Sequence, residues 1–319
     1  MSQQPIFFDP IFQERIWGGT ELRNFGYTIP SDITGECWAF AAHPNGQSVV
    51  KNGEWKGKTL GYLWDNHREL FSNLKGDRFP LLTKILDANQ DLSVQVHPND
   101  EYARLYENGE LGKTECWYIV DCKDGTEIIF GHEACSKEEL QSMIAENRWN
   151  DLLKKVPVKK GDFFFVPSGT IHAIGEGIII LETQQNSDTT YRVYDYDRLD
   201  DSGNKRQLHI KQSINVTTIP HQVEKQEIKV DQKPGIKTTK FVDCEYFSVE
   251  KWELSGESNH KQSKPFLLCS VLEGEGNIKV DSNEFAFKKG DHFMLPSSIS
   301  DFTLSGNSEL IISYVPDNN

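Results

Sequence analysis

Short apolar runs separated by polar turns are the dominant pattern along the chain. The runs are rich in β-branched and aromatic residues, and Gly, Asp, Asn or Pro lies between them. Such runs are typical of strands, and their regular spacing favours a sandwich or a barrel, so we predict a mainly β fold. The predicted strands are SVQV (93–96), CWYIV (116–120), EIIF (127–130), DFFFV (162–166), IIILET (178–183), FLLCSVL (266–272), NIKV (277–280), EFAF (284–287) and ELIISYV (309–315).

Helical periodicity is confined to a few segments. Residues 136–155 are the clearest, because Ser136 and Glu139 form a capping box and an apolar stripe follows at helical spacing. A second predicted helix covers 59–74, and a weaker one covers 101–107. We therefore expect helices as insertions among the strands.

A polar, charge-mixed stretch at 221–237 lies between two strand-rich parts of the chain. This composition is typical of a linker or a sheet edge, which favours a boundary near 220–240. The prediction is a first domain over residues 1–235 and a second domain over residues 236–319.

One sequence pattern occurs twice at a constant offset. Residues 159–172 read KKGDFFFVPSGTIH, and residues 288–301 read KKGDHFMLPSSISD. A match over this length indicates two copies of one β unit. At the last aligned position the first copy has His172 and the second has Asp301, and the second copy also lacks a Q-x-H partner upstream. We therefore expect the first copy to carry chemistry that the second has lost.

Composition and charge exclude several classes of partner. The formal net charge is −14, and such a field repels nucleic acid and anionic membranes. No apolar run approaches the ~18 residues of a membrane-spanning helix, and the start MSQQPIFFDP lacks the pattern of a signal peptide. The six cysteines include no C-x-x-C pair, which indicates reduced thiols in a cytoplasmic protein.

Four residues form a candidate metal site. Gln95 and His97 stand two apart in LSVQVHPND, so a strand would place both on one face, and the next residue, a proline, should end the pairing there. Glu115 in TECWYIV and His172 in PSGTIH complete a donor set that suits Zn²⁺, with Mn²⁺, Fe²⁺ or Co²⁺ as alternatives. Taken alone, Q-x-H is weak, because most histidines are surface or satisfied core groups.

Two of these motifs resemble the cupin superfamily. G-D-x4-P-x-G-x-x-H is similar to the second cupin motif, and Q-x-H…Glu is similar to the first, with Gln where most cupins have His. The resemblance implies two cupin-type β-barrels (double-stranded β-helix) with a helical insertion. The first would bind metal and carry catalysis, and the second would be degenerate.

A longer series of strings narrows the resemblance. GECWAFAAHPNG, PLLTKILDA, LSVQVHPND, GKTECWY, VPSGTIHAI and LETQQNSDTTYRVYDYDR together resemble type I mannose-6-phosphate isomerases of the short bacterial form. The resemblance implies one Zn²⁺ per chain with the ligands Gln95, His97, Glu115 and His172. Among these ligands Gln95 is the weakest, because an amide oxygen carries no charge.

Arg192, in SDTTYRVYD, matches the catalytic arginine of this family. Physical chemistry gives an independent reason, because isomerising an aldose to a ketose builds an enediolate that a fixed guanidinium stabilises. The alternative interpretation is a structural ion pair between Arg192 and Asp188 or Asp195.

The remaining candidates flank the metal motifs. The resemblance implies that Lys84 and Lys113 lie in the pocket, where either could meet a sugar phosphate or move a proton. Ser93 could donate to a phosphate oxygen. We predict that Ser93, Lys84 and Asp188 bind substrate. The proton carrier stays open among Lys113, Glu182, Asp188 and a metal-bound water, with Lys113 and Glu182 as the catalytic prediction beside Arg192.

The resulting prediction is a metal-dependent isomerase that interconverts mannose 6-phosphate and fructose 6-phosphate through a cis-enediol. It would act on a small sugar phosphate as a monomer or weak homo-oligomer. One alternative is a metal-dependent cupin oxygenase, which typically has three histidine ligands and would consume oxygen. The other is a non-catalytic sugar-binding cupin, which would not need Arg192.

Overall fold

The computed structural model describes residues 4–199 and 203–316. The strands are β1 (Ile6–Asp9), β2 (Ile11–Gly19), β3 (Thr34–Phe40), β4 (Ala42–His43), β5 (Gly46–Gln47), β6 (Val49–Val50), β7 (Leu81–Ala88), β8 (Val94–Val96), β9 (Glu115–Cys122), β10 (Glu127–His132), β11 (Leu153–Pro157), β12 (Phe163–Val166), β13 (His172–Ile174), β14 (Ile178–Gln185), β15 (Tyr191–Tyr194), β16 (Lys229–Lys233), β17 (Ile236–Asp243), β18 (Ser248–Lys261), β19 (Phe266–Val280), β20 (Asn283–Lys288), β21 (His292–Pro296) and β22 (Asp301–Tyr314). The helices are α1 (Leu60–Asn66), α2 (Asp100–Tyr106), α3 (Lys137–Ala145), α4 (Trp149–Leu152) and α5 (Ile210–Val216), and 3₁₀ helices cover Glu21–Phe25 and Arg68–Phe71.

Three larger sheets build the molecule, which confirms the prediction of a mainly β fold. A six-stranded sheet in the order β12-β9-β14-β7-β3-β2 packs on a five-stranded sheet in the order β11-β10-β13-β8-β15. The nine-stranded sheet runs β16-β17-β18-β22-β19-β21-β1-β6, with β20 paired to β19. The N-terminal strand β1 therefore pairs with β21 of the C-terminal part, in antiparallel register.

Alternation along β9 shows why the six-stranded sheet is buried on both faces. Cys116 and Tyr118 point into the core that this sheet shares with the nine-stranded sheet. Trp117 and Ile119 point into the core that it shares with the five-stranded sheet. Because side chains alternate with period two, Glu115 lies on the same inner face as Trp117. The inner face is therefore apolar at one end and charged at the other.

The prediction of one helix over 136–155 is wrong. Ser136 does cap α3 by accepting from the Glu139 backbone N–H at 3.1 Å. The helix ends at Ala145, because Asn147 adopts a left-handed φ of 55°. The chain then forms the single turn α4 and the strand β11. Within the described ranges, every helix is too short or too polar to cross a bilayer.

The repeated K-K-G-D sequence forms the same turn twice. In both copies the backbone N–H of the first lysine donates to the aspartate carboxylate, at 3.0 Å to Asp162 and 2.9 Å to Asp291. Gly161 and Gly290 have φ values of 90° and 85°. The second copy ends on the exposed Asp301, where the first has a buried histidine. The two copies thus share backbone geometry while only one contributes to a metal-binding cluster.

Candidate metal centre and active site

Three side chains from different strands converge between the six-stranded and five-stranded sheets. His97 follows β8, Glu115 begins β9 and His172 begins β13. His97 Nε2 lies 3.4 Å from Glu115 Oε2, and His172 Nε2 lies 3.3 Å from Glu115 Oε1. The three side chains are at most 1% exposed, and their donor atoms all lie within 4.8 Å of one another. This spacing suits a single divalent cation.

Hydrogen bonds at the other ring nitrogen fix the tautomer of each histidine. His97 Nδ1 lies 2.8 Å from Thr189 O, and His172 Nδ1 lies 2.9 Å from Thr170 O. A carbonyl oxygen can only accept, so Nδ1 carries the proton in both rings. Burial lowers the pKa of His97 well below its usual value and lowers the pKa of His172 to about 4. Both rings are therefore neutral at pH 7, with the Nε2 lone pairs facing Glu115.

Two hydrogen-bond acceptors, one on His97 and one on Glu115, consequently face each other inside this pocket. His97 Nε2 and Glu115 Oε2 are buried and make no hydrogen bond. Two buried acceptors that face each other without a hydrogen bond cost free energy, which a bound cation would offset. Gln95 stands opposite His172 in the sheet, with its Nε2 3.3 Å from His172 Nε2. Turning the amide over would present its oxygen to the same cation, so the residues fit a divalent metal.

The turn before His172 depends on a glycine. Gly169 has a φ of 86°, and its backbone N–H donates to His97 O at 2.9 Å. A Cβ at this position would lie 2.5 Å from Thr218 Oγ1 and 2.9 Å from Val216 O. Glycine therefore permits both the left-handed turn and its close packing, which together bring His172 beside His97.

Lys113 and Glu182 flank the proposed metal ligand Glu115. Lys113 Nζ lies 3.3 Å from Glu115 Oε2. The Trp117 indole N–H donates to Glu115 Oε1 at 3.0 Å and to Glu182 Oε2 at 3.1 Å. Burial raises the pKa of Glu182, and the carboxylate of Glu115 raises it further. A buried carboxyl group with a raised pKa is suited to gaining and losing a proton.

Lys84 lies on β7, directly opposite Glu182 of β14 in the sheet register. Its Nζ lies 3.5 Å from Glu182 Oε1 and 3.9 Å from Glu36 Oε2. Burial disfavours the charged lysine, but the carboxylates of Glu36 and Glu182 outweigh burial and raise its pKa. Lys84 is therefore a buried cation that pairs with Glu182.

Arg192 lies on β15, opposite Gln95 of β8 in the sheet register. Its Nε donates to Ser93 Oγ at 3.3 Å, and its Nη1 donates to a backbone carbonyl oxygen at 2.9 Å. Asp195, one of the two acidic partners considered for it, instead accepts hydrogen bonds from two other arginines, Arg198 and Arg206. The arginine is thus held by neutral oxygens, with its charge available to an anion.

Asp188 lies between β14 and β15 and interacts electrostatically with Lys84 and Lys113. Its Oδ2 accepts a hydrogen bond from Asn45 Nδ2 at 2.9 Å. Burial raises the pKa of Asp188, but the charges of Lys84 and Lys113 outweigh burial and lower it. Asp188 is therefore ionised, and the charges of these two lysines stabilise its carboxylate.

Glu36 is a buried site residue that the sequence motifs leave unassigned. It belongs to the tripeptide Glu-Cys-Trp in GECWAF, and the same tripeptide recurs in TECWYIV around Glu115. In both copies the tryptophan indole donates to the glutamate two residues earlier, at 2.5 Å from Trp38 to Glu36 and at 3.0 Å from Trp117 to Glu115. This repeated tripeptide is the sequence signal that points to Glu36.

Comparisons with known proteins converge on one family. The family model "Phosphomannose isomerase type I, catalytic domain" matches residues 6–123, and "Mannose-6-phosphate isomerase, cupin domain" matches residues 237–315. Mannose-6-phosphate isomerase ManA of Bacillus subtilis is 61% identical over 315 residues, covering 99% of this chain and 100% of that protein. The mannose-6-phosphate isomerase of Streptococcus mutans is 56% identical and covers 98% of each chain. The crystal structure of a mannose 6-phosphate isomerase from B. subtilis superposes with a TM-score of 0.96 at 54% identity, covering 98% of this chain and 99% of that one.

Proposed function

Since the chain belongs to the type I phosphomannose isomerase family, we propose that its reaction takes place at the cluster of His97, Glu115 and His172. The chain is a metal-dependent mannose-6-phosphate isomerase, which interconverts mannose 6-phosphate and fructose 6-phosphate. One observation carries the assignment of the site, namely that His97 Nε2 and Glu115 Oε2 face each other, buried and without a hydrogen bond, in a cluster that also contains His172.

The metal we propose is one Zn²⁺ per chain. Its ligands would be Gln95, His97, Glu115 and His172, a set of nitrogen and oxygen donors that zinc accepts readily. A bound zinc ion supplies Lewis-acid polarisation of the substrate oxygens. The carbonyl oxygens of Thr170 and Thr189 orient the two imidazoles, as partners of metal-bound histidines usually do.

The reaction we propose is proton transfer through a cis-enediol. The proton on C2 of the open-chain aldose leaves, and negative charge develops on the C1 oxygen. That oxygen gains a proton while the C2 hydroxyl loses one, and C1 then gains a proton to give the ketose. Lys113 and Glu182 are the proposed proton carriers, because both lie beside Glu115 on the inner face of the sheet. The guanidinium of Arg192 would stabilise the charge on the enediolate oxygen.

Ser93, Lys84 and Asp188 are the proposed substrate-binding residues. Ser93 Oγ accepts from Arg192, which leaves the serine hydroxyl hydrogen to donate to a phosphate oxygen. Lys84 and Asp188 carry opposite charges and can each bind a substrate hydroxyl. The overall charge of −14 repels an anionic sugar phosphate, so local cations such as Arg192 must provide its attraction.

Neither alternative function fits as well. A cupin oxygenase would typically use three histidines, whereas this cluster has two histidines and a carboxylate. A non-catalytic sugar-binding cupin would not require the buried charges of Lys113 and Glu182 next to that cluster. Relatives that span the whole chain carry the name of the isomerase.

We also propose different roles for residues 1–235 and residues 236–319. The first part would carry the reaction, and the second would support the back of the six-stranded sheet. Thr183 Oγ1 lies 2.8 Å from Ser313 Oγ in a fully buried contact between the two parts. This contact lies on β14, one residue from the proposed proton carrier Glu182.

A coupled assay with mannose 6-phosphate tests the site and the metal together. We expect turnover to disappear after chelation and to return with one equivalent of Zn²⁺, with no oxygen uptake. His97→Ala should bind no zinc and show no turnover, while far-ultraviolet circular dichroism stays that of the wild type. Turnover that persists in His97→Ala, or in protein shown to be free of metal, would contradict the assignment.

A further inference from the structure

Lys84 is held between two buried carboxylates that approach it from opposite sides. Glu182 faces it from β14, and Glu36 reaches it from β3. The distances of 3.5 and 3.9 Å are both longer than the ~2.8 Å of a charge-assisted hydrogen bond. The ammonium also lies 5.2 Å from the centre of the Trp38 ring. Lys84 therefore sits between its two partners and is not bound closely to either one.

Glu36 is itself fixed by donors that do not include Lys84. Arg15 Nε donates to Glu36 Oε1 at 2.9 Å, and Arg15 Nη2 donates to Oε2 at 3.3 Å. Trp38 Nε1 donates to Oε2 at 2.5 Å. Burial raises the pKa of Glu36, but Lys84 and Arg15 outweigh burial and lower it. Glu36 is thus an anion that cannot follow a movement of the lysine.

We propose that Glu36 is a positioning residue that keeps the Lys84 ammonium from closing onto Glu182. Without the charge of Glu36, nothing would balance the attraction of Lys84 to Glu182, and the two side chains would form a tight ion pair. That pair would withdraw the proposed substrate-binding lysine and hold the proposed proton carrier ionised. The inference rests on the proposed function, since it gives Lys84 and Glu182 roles in the isomerase reaction.

The variant Glu36→Gln tests this role because it keeps the size of the side chain and removes its charge. With the zinc-loaded enzyme and mannose 6-phosphate we expect kcat to fall roughly 10- to 100-fold, since small displacements of a positioned group have effects of that size. Zinc content and Tm should stay near the wild-type values, and Glu36→Asp should recover part of the kcat. A crystal structure of zinc-loaded Glu36→Gln should show Lys84 Nζ about 2.8 Å from Glu182.

Glu250→Gln is the matched control. Glu250 Oε2 accepts from the indole of Trp252, two residues later on β18, at 2.9 Å, and Lys240 Nζ lies 3.6 Å from Glu250 Oε1. Glu250 thus resembles Glu36 in having an indole donor two residues later and a nearby lysine, but it lies in the proposed second domain. Glu250→Gln should therefore leave kcat unchanged.

The outcomes separate the inference from the function on which it rests. Wild-type kcat in Glu36→Gln, or an unmoved Lys84 in its crystal structure, would overturn the positioning role. Loss of zinc or a large fall in Tm would also overturn it, because Glu36 would then be a structural residue. A wild-type enzyme without turnover on mannose 6-phosphate would overturn the proposed function instead, while the position of Lys84 in the variant could still be measured.

Discussion

Gln95 and His172 face each other in register across β8 and β13, with their Nε2 atoms 3.3 Å apart. The amide N–H of Gln95 thus donates to His172 Nε2, the atom that we propose as a ligand of the metal. A cation at that position would require the amide to turn over and present its oxygen. We propose the Gln95 amide oxygen as the weakest of the four ligands, so its loss should lower the zinc affinity without abolishing zinc binding.

The variant Gln95→Leu measures this contribution. We expect the zinc affinity, determined by competition with a chelator, to fall roughly 10- to 100-fold, the usual effect of losing a supporting contact at a metal site. His172→Ala should bind no stoichiometric zinc, since it removes a nitrogen ligand altogether. A Gln95→Leu protein with wild-type zinc affinity would remove Gln95 from the ligand set.

Arg192→Ala tests the stabilisation of the enediolate. We expect kcat to fall roughly 10²- to 10³-fold, the effect of removing one donor to an oxyanion, with the zinc content unchanged. Arg148→Ala is the control, because the exposed Arg148 pairs with the exposed Glu146. Wild-type kcat in Arg192→Ala would exclude the arginine from the reaction and return it to a structural role.

The separate motifs of the metal cluster could be anticipated from sequence because they are local, whereas their convergence on one ion is implied by the family resemblance. Gln95 and His97 share a strand face by simple alternation, and Pro98 does follow the end of β8. The glycine-containing turn before His172 is visible in the printed sequence, as is the repeated K-K-G-D turn. Short-range backbone rules decide these features, so one sequence is enough to predict them.

Other features depend on contacts between distant parts of the chain. The pairing of β1 with β21 leaves no local signal, because either strand could pair with several others. The two strands predicted at 266–272 and 277–280 form one strand, β19, in which Gly274 has a φ of 74° next to a register shift. A register shift of this kind lets strand pairing continue on both sides of the polar residues 273–276, whose sequence is typical of a turn.

Gly169→Ala tests the turn that carries His172. The new Cβ would meet Thr218 Oγ1 at 2.5 Å and Val216 O at 2.9 Å, so the turn must shift. Gly57→Ala is a matched control, since Gly57 has nearly the same φ of 85° with open space around its Cβ. Both should lose about 1 kcal/mol of unfolding free energy from the left-handed backbone. Gly169→Ala should lose about 1–3 kcal/mol more from overpacking, and its zinc affinity should fall. Equal urea denaturation curves for the two variants would contradict the steric argument.

His292 should make the stability of the protein depend on pH. It is buried, with Nε2 2.7 Å from Tyr27 OH and Nδ1 3.0 Å from Ser270 Oγ. Burial lowers its pKa to about 3, with a smaller effect from Lys51. In the unfolded chain the pKa is about 6.5, so between these values the unfolded chain binds more protons and the free energy of unfolding falls as the pH falls. From pH 7 to pH 5 this group should lower the free energy of unfolding by about 2 kcal/mol.

The variant His292→Gln tests this contribution by urea denaturation at pH 7 and pH 5. Its loss of unfolding free energy between the two pH values should be smaller than that of the wild type by about 2 kcal/mol. Because the other histidines are common to both proteins, an identical loss in the two would show that His292 does not bind its proton in the way that its burial requires.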